Sequence, residues 1–264
     1  MDDLLFDFGN AVPWFPHSQE DPYVLVRMSA AHVALLQATL AEPLRRCYIT
    51  DDLLHRSAAR TGMSLAEVLS SKLPDAGSTM AGDFGEVLGY FYQSTKEHPA
   101  EAIGPKKWRL KQDRTKPAPK SDVIHFLMPD HPNASANDVI LCSEVKLKST
   151  SAPSNPIATA IKDCETDRVS RLAKTLVWLR ERSITEDLGD VNIPLLNRFI
   201  NAVDAPSATK RYRAVAVICE SLLTAELATA PTTVSDDFTL VVISVPDLHA
   251  TYNAAFQAAR ASVI

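Results

Sequence analysis

Glu144 and Lys146 stand two residues apart at the end of an apolar run, Val139-Ile-Leu-Cys-Ser-Glu-Val-Lys146. Side chains of a strand alternate between faces, so this spacing puts carboxylate and ammonium on one side of a sheet. A carboxylate that ligates a divalent cation, beside an amine that orients water, is the minimum equipment for metal-assisted phosphodiester hydrolysis. About one acidic-x-Lys triplet is expected by chance at this composition, and the chain contains one. The neighbouring segments therefore have to decide between a site and the ordinary charges of an edge strand.

Ser121-Asp-Val-Ile-His-Phe-Leu-Met128 reads as a second strand, opening with Asp122. The turn-rich connector 129–138 is of a length that returns one strand antiparallel to the other, which brings Asp122 near Glu144 at one sheet edge. Upstream, Ala81-Gly-Asp-Phe-Gly-Glu86 starts a helix. Phe84, Val87, Leu88 and Phe91 form its apolar stripe, and Glu86 falls nearly opposite. That placement predicts a solvent-facing carboxylate unless the helix is covered on two sides.

Lys106, Lys107, Arg109, Lys111, Arg114, Lys116 and Lys120 cluster within fifteen residues and are opposed locally only by Asp113. Pro117 and Pro119 make the second half a loop. A basic patch beside clustered acids is where a polyanionic backbone would lie, with binding that weakens steeply in salt; the other reading is a solvated loop. Lys148 repeats the strand alternation and would back up Lys146.

This order of elements resembles the PD-(D/E)xK nuclease superfamily, on Gly85-Glu86, Lys106-Lys-Trp-Arg-Leu-Lys111, Ser121-Asp122 and Ser143-Glu-Val-Lys146. More narrowly, the chain is similar to the nuclease subunit of Hachiman anti-phage defence systems. That likeness rests on Gly82-Asp-Phe-Gly-Glu86, Lys120-Ser-Asp122, Ser143-Glu-Val-Lys146 and Val245-Pro-Asp-Leu248. The resemblance implies a restriction-endonuclease-like core in which a Glu-bearing helix precedes a strand, the Asp strand and the E-x-K strand. It implies Mg²⁺, or Mn²⁺, on Asp122, Glu144 and the Val145 carbonyl, with Glu86 in support and Lys146 on the attacking water. It further implies DNA as substrate and a separate helicase subunit as partner.

The whole chain sets bounds. With 264 residues and 46% hydrophobic content it can bury a substantial core, and a net charge of −5 excludes indiscriminate coating of DNA. Cys47, Cys142, Cys164 and Cys219 form no C-x-x-C pair and read as reduced, buried thiols of a cytoplasmic protein. The histidines show no zinc spacing, no Walker A loop occurs, and no apolar run is long enough to span a membrane. The N-terminus, Met1-Asp-Asp-Leu-Leu-Phe-Asp7, lacks a cationic leader region.

The pattern predicts an α/β fold, a central mixed β-sheet flanked by helices. Residues 79–264 form its nuclease-like domain and residues 1–78 an α-rich N-terminal extension, the first candidate for partner docking. Strands are expected near 23–27, 213–219 and 238–244. Helices are expected near 30–41, 64–72 (with a Ser64–Glu67 capping box), from about 155, and near 247–262. Arg168, Arg171 and Lys174, at i, i+3 steps, read as a solvated helix face or one turned to substrate. Three functions fit: a nuclease subunit of a defence complex, a stand-alone restriction or repair nuclease, and a nuclease-like scaffold that regulates a helicase.

Overall fold

The long apolar runs of the sequence become the strands of one sheet. The computed structural model describes residues 3–16, 18–200 and 208–263, so Met1 and Asp2 of the N-terminal stretch lie outside the described residues. In chain order the elements are β1 (Ser18–Glu20), β2 (Tyr23–Arg27), α1 (Ala30–Thr39), α2 (Ala41–Tyr48), α3 (Asp51–Thr61), α4 (Leu65–Ser70) and α5 (Ser78–Glu97). There follow β3 (Val123–Leu127), β4 (Val139–Lys148), α6 (Pro156–Thr166), α7 (Leu172–Arg182), α8 (Ile193–Ile200), β5 (Thr209–Cys219), α9 (Leu223–Leu227), β6 (Thr239–Val245) and α10 (Leu248–Ala261). The sheet order is β1-β2-β6-β5-β4-β3. β2, β6, β5 and β4 run parallel, and the outer strands β1 and β3 run antiparallel to their neighbours. This is the expected mixed sheet flanked by helices.

Period-two alternation divides the core. Val145, Val215, Val217, Val241 and Ile243 face the layer that contains Phe84, Phe91 and Phe256. Cys142, Ala214, Ala216 and Val242 face the opposite layer, with Ile157, Leu176 and Leu196. Strands buried on both faces read as the continuous apolar runs seen in β5 and β6. All four cysteines are buried and unbridged.

The first 78 residues do not stand apart as an extension. β2 is bonded to β6 within the sheet, and Trp14, Leu36 and Leu44 share one core with Phe91 and Phe256. Trp14 stacks on Phe91 with ring centroids 5.3 Å apart. The helix expected over 30–41 gives way at Leu40 to α2, which carries Pro43 in its first turn, where proline is tolerated. The capping box is present: Ser64 Oγ accepts from the Glu67 amide, and Glu67 accepts from the Ser64 amide. Lys106–Lys111, matched to a strand on sequence, is instead a 3-10 turn over Lys107–Leu110. Its bond from the Arg109 amide to the Lys106 carbonyl closes a turn that no strand ladder could hold.

Helix α5 lies unusually close to β4, because two glycines face it. A Cβ on Gly89 would come within 2.8 Å of Val145 Cγ2, and one on Gly85 within 3.1 Å of Leu147 Cβ. Gly82, on the same helix, has open space around its missing Cβ. Gly89→Val should therefore lower stability by about 2 kcal/mol or more through overpacking. Gly82→Ala should raise it by about 0.5–1 kcal/mol through helix propensity. Urea unfolding of the two variants checks the contrast; equal effects would mean that α5 does not rest on β4 through Gly89.

Candidate active site

The last strand pair between β3 and β4 is Val123 with Ser143. From Glu144 to Lys148, β4 continues with β5 on one side and, among the described residues, no strand on the other. Exposed edge groups need other partners. The Val145 amide donates to Asp122 Oδ2 at 2.9 Å, so the residue just ahead of β3 caps the edge with its side chain. N–H and C=O of one strand residue point the same way, so the Val145 carbonyl also faces this open edge.

Glu144 and Lys146 emerge on the side of α6 and α7. Lys146 Nζ donates to Glu144 Oε1 at 2.5 Å and lies 3.0 Å from Asp163 Oδ2 and 4.0 Å from Asp122 Oδ2. Arg171 Nη2 donates to Glu144 Oε2 at 2.6 Å and to the Asp163 carbonyl at 2.8 Å, while its Nε reaches Asp167 at 2.6 Å. Asp163, Asp167 and Arg171 follow at i, i+4 and i+8 along α6 and the π-helical turn Asp167–Arg171. Asp167 in turn accepts from Ser121 Oγ at 2.6 Å, which ties this turn to the entry of β3.

Glu86 reaches the site from the other layer. It is 6% exposed, which decides between the two orientations the sequence allowed: α5 is covered on both sides, by the core behind and by the 3-10 turn in front. Trp108 Nε1 donates to Glu86 Oε2 at 3.1 Å, and Lys107 Nζ lies 3.5 Å from the same oxygen. Lys107 Nζ also lies 3.7 Å from Asp122 Oδ1 and donates to the Ser121 carbonyl at 2.7 Å. Asp122, Glu144, Lys146 and Glu86 thus surround one open strand end, beside a cleft of about 540 Å³ that they line together with Lys120 and Arg171. A more apolar cavity of about 300 Å³, lined by Phe6, Phe8, His98 and Ile103, contains none of these carboxylates.

Most of the basic segment is not a free surface. Lys106 pairs with Asp3 at 2.7 Å, and Arg109 pairs with Asp3 and donates to the Arg46 carbonyl. Lys111 pairs with Asp83 at 2.7 Å, and the same oxygen accepts from Tyr48. Arg114 pairs with Asp75 and Lys116 with Asp113, both near the surface. Lys148 is buried against Glu226 and the Ser154 carbonyl. The acids that neutralise these cations are mostly distant in sequence, so the local charge count concealed the pairing. Of the predicted set, Lys120 is exposed and lines the cleft. Arg171, read as part of a solvated or substrate-facing stripe, lines the cleft and binds Glu144. The i, i+4, i+8 column of Asp163, Asp167 and Arg171 was the available signal.

The electrostatics follow from burial. Glu86 is pushed up to about 8, first by burial and against the pull of Lys107. Burial, then Asp122, pushes Glu144 up to about 9 against the pull of Lys146. Burial works against the Lys146 and Lys107 ammonium groups, yet the surrounding carboxylates outweigh it and raise both. Among the described residues, no group of three or more His, Cys, Asp or Glu side chains is placed to hold a metal ion.

The HamA family model matches residues 21–259 of the 264. The chain belongs to the HamA family. It is accordingly a component of Hachiman anti-phage defence. No curated protein matches this HamA-family chain. Among the described residues, no helix is long and apolar enough to cross a membrane.

Glu86 yields a pH prediction. Its folded-state proton affinity lies above the ordinary carboxyl value of 4.5, so the native state keeps a proton that the unfolded chain releases. Stability should therefore fall as pH rises from about 5 to about 8. Melting curves in EDTA across this range should show the fall, and Glu86→Gln should lessen it, the remaining slope coming from Glu144. An unchanged slope in the variant would mean that Glu86 is ionised in the fold.

Proposed function

We propose that this HamA-family chain is a metal-dependent nuclease that hydrolyses DNA phosphodiester bonds, the effector subunit of a cytoplasmic complex with a separate helicase. The observation that carries the reading is the meeting of Asp122, Glu144, Lys146 and the Val145 edge at the unpaired end of β4. This is the constellation that the PD-(D/E)xK likeness leads one to expect.

A hard divalent cation suits the donor set. Mg²⁺ binds through one or two carboxylates and keeps several waters, so an open site of Asp122, Glu144 and the Val145 carbonyl meets its needs without a closed cage. Burial and mutual repulsion raise the proton affinity of Glu144, a sign of negative charge that a cation would relieve. When bound, Mg²⁺ or Mn²⁺ supplies charge stabilisation at the scissile phosphate and a more acidic water. Lys146 is held in its charged form, so it acts as a donor that orients the attacking water rather than as a base. Its side chain is partly exposed and lines the cleft. Lys120 and Arg171 line the same cleft and would meet the phosphate backbone.

A second reading, a nuclease-like scaffold that regulates its helicase, has one observation in its favour. Both oxygens of Glu144 are engaged by Lys146 and Arg171, so the carboxylate is satisfied without a metal. Plasmid degradation by the purified chain with Mg²⁺, Mn²⁺ or EDTA separates the two, alone and with the helicase added. The nuclease reading expects metal-dependent cutting that Glu144→Ala/Lys146→Ala loses by about 10²-fold or more. Equal cutting by wild type and variant would place the chemistry elsewhere. No cutting by either, with the helicase present, would establish the scaffold.

A further inference from the structure

Lys107 is the one basic residue of the 106–111 segment whose ammonium lies between two of the site's carboxylates. It is 4% exposed, held on the 3-10 turn Lys107–Leu110. Its Nζ sits 3.5 Å from Glu86 Oε2 and 3.7 Å from Asp122 Oδ1. A third direction is spent on the Ser121 carbonyl at 2.7 Å. An ammonium has three donors and no acceptor; one is spent on the Ser121 carbonyl, and both carboxylates lie within ion-pair distance of the charge.

Asp122 divides the site. Its Oδ2 faces the Val145 amide and, at 4.0 Å, Lys146; its Oδ1 faces Lys107. Glu144 lies on the first side, with Lys146 and Arg171, and Glu86 on the second, with Lys107 and Trp108. The gap between Glu86 and Asp122 therefore already holds a positive charge supplied by the chain. Buried charges persist only when paired, and removing this ammonium would leave two buried carboxylates facing one another, an oxygen donor pair of the kind hard divalent cations take.

We propose that Lys107 is a built-in substitute for a second metal ion, a fixed charge that limits the site to one divalent cation, on the Asp122–Glu144 side. Lys107 is then a positioning residue for the two carboxylates and no part of a DNA-binding face. The proposal rests on the metal-site reading above, and the experiment separates the two failures.

The test counts bound Mn²⁺ per chain by equilibrium dialysis and electron paramagnetic resonance. Wild type should bind one, Lys107→Met two, and Lys107→Met/Glu86→Gln one again. Lys107→Arg, which keeps the charge, should stay at one. Melting in EDTA should drop for Lys107→Met, and Mn²⁺ should raise its midpoint more than that of wild type. Two ions on wild type, or one on a folded Lys107→Met, would overturn the proposal while leaving the metal site standing. No Mn²⁺ on wild type would sink the metal-site reading itself. If Lys107→Met does not fold, the wild-type count decides alone.

Discussion

Five residues of β4 run past the end of β3, and the rest of the site depends on how that open edge is closed. A strand edge with unpaired amides and carbonyls invites another chain unless something covers it. Here Asp122 takes the Val145 amide, and the carboxylate comes to rest where the edge, Glu144 and Lys146 meet. Two further devices keep the arrangement tight. Gly85 and Gly89 let α5 approach β4 closely enough to deliver Glu86. Ser121, through Asp167, fastens the entry of β3 to the turn that carries Arg171.

Charge is handled by pairing across the fold. The chain is acidic overall, yet its densest basic run is largely internal, matched by Asp3, Asp75, Asp83, Glu86 and Asp122 from remote segments. Asp3 links the N-terminal arm to Lys106 and Arg109, next to the turn that presents Lys107 and Trp108. The first 78 residues are thus part of what positions the site. Five carboxylates, Glu86, Asp122, Glu144, Asp163 and Asp167, face Lys107, Lys146 and Arg171 around the open strand end. Burial and this crowding raise the proton affinity of Glu86 and Glu144, and a divalent cation would take the place of such a proton.

What was legible in the sequence was what has a short period. The apolar run Val139–Lys148 and the two late, continuously apolar runs predicted β4, β5 and β6, and the connector length predicted the antiparallel return that places Asp122 beside Glu144. The orientation of Glu86 stayed open because one apolar stripe describes a helix covered on one face, and α5 is covered on two. The basic run was read as surface because ion pairing over a hundred residues of sequence, as between Asp3 and Arg109, leaves no local trace. Lys106–Lys111 was matched to a strand, and the turn it forms became visible only through its partners in three dimensions.

The central claim is that the open end of β4 is a divalent-cation site. The most direct test is a crystal structure of the chain grown with Mn²⁺, with an anomalous difference map at the manganese edge. The account predicts one peak in contact with Asp122, Glu144 and the Val145 carbonyl, with Lys146 or Arg171 displaced from the Glu144 oxygens. A map without a peak at saturating Mn²⁺, with both cations still on Glu144, would contradict it.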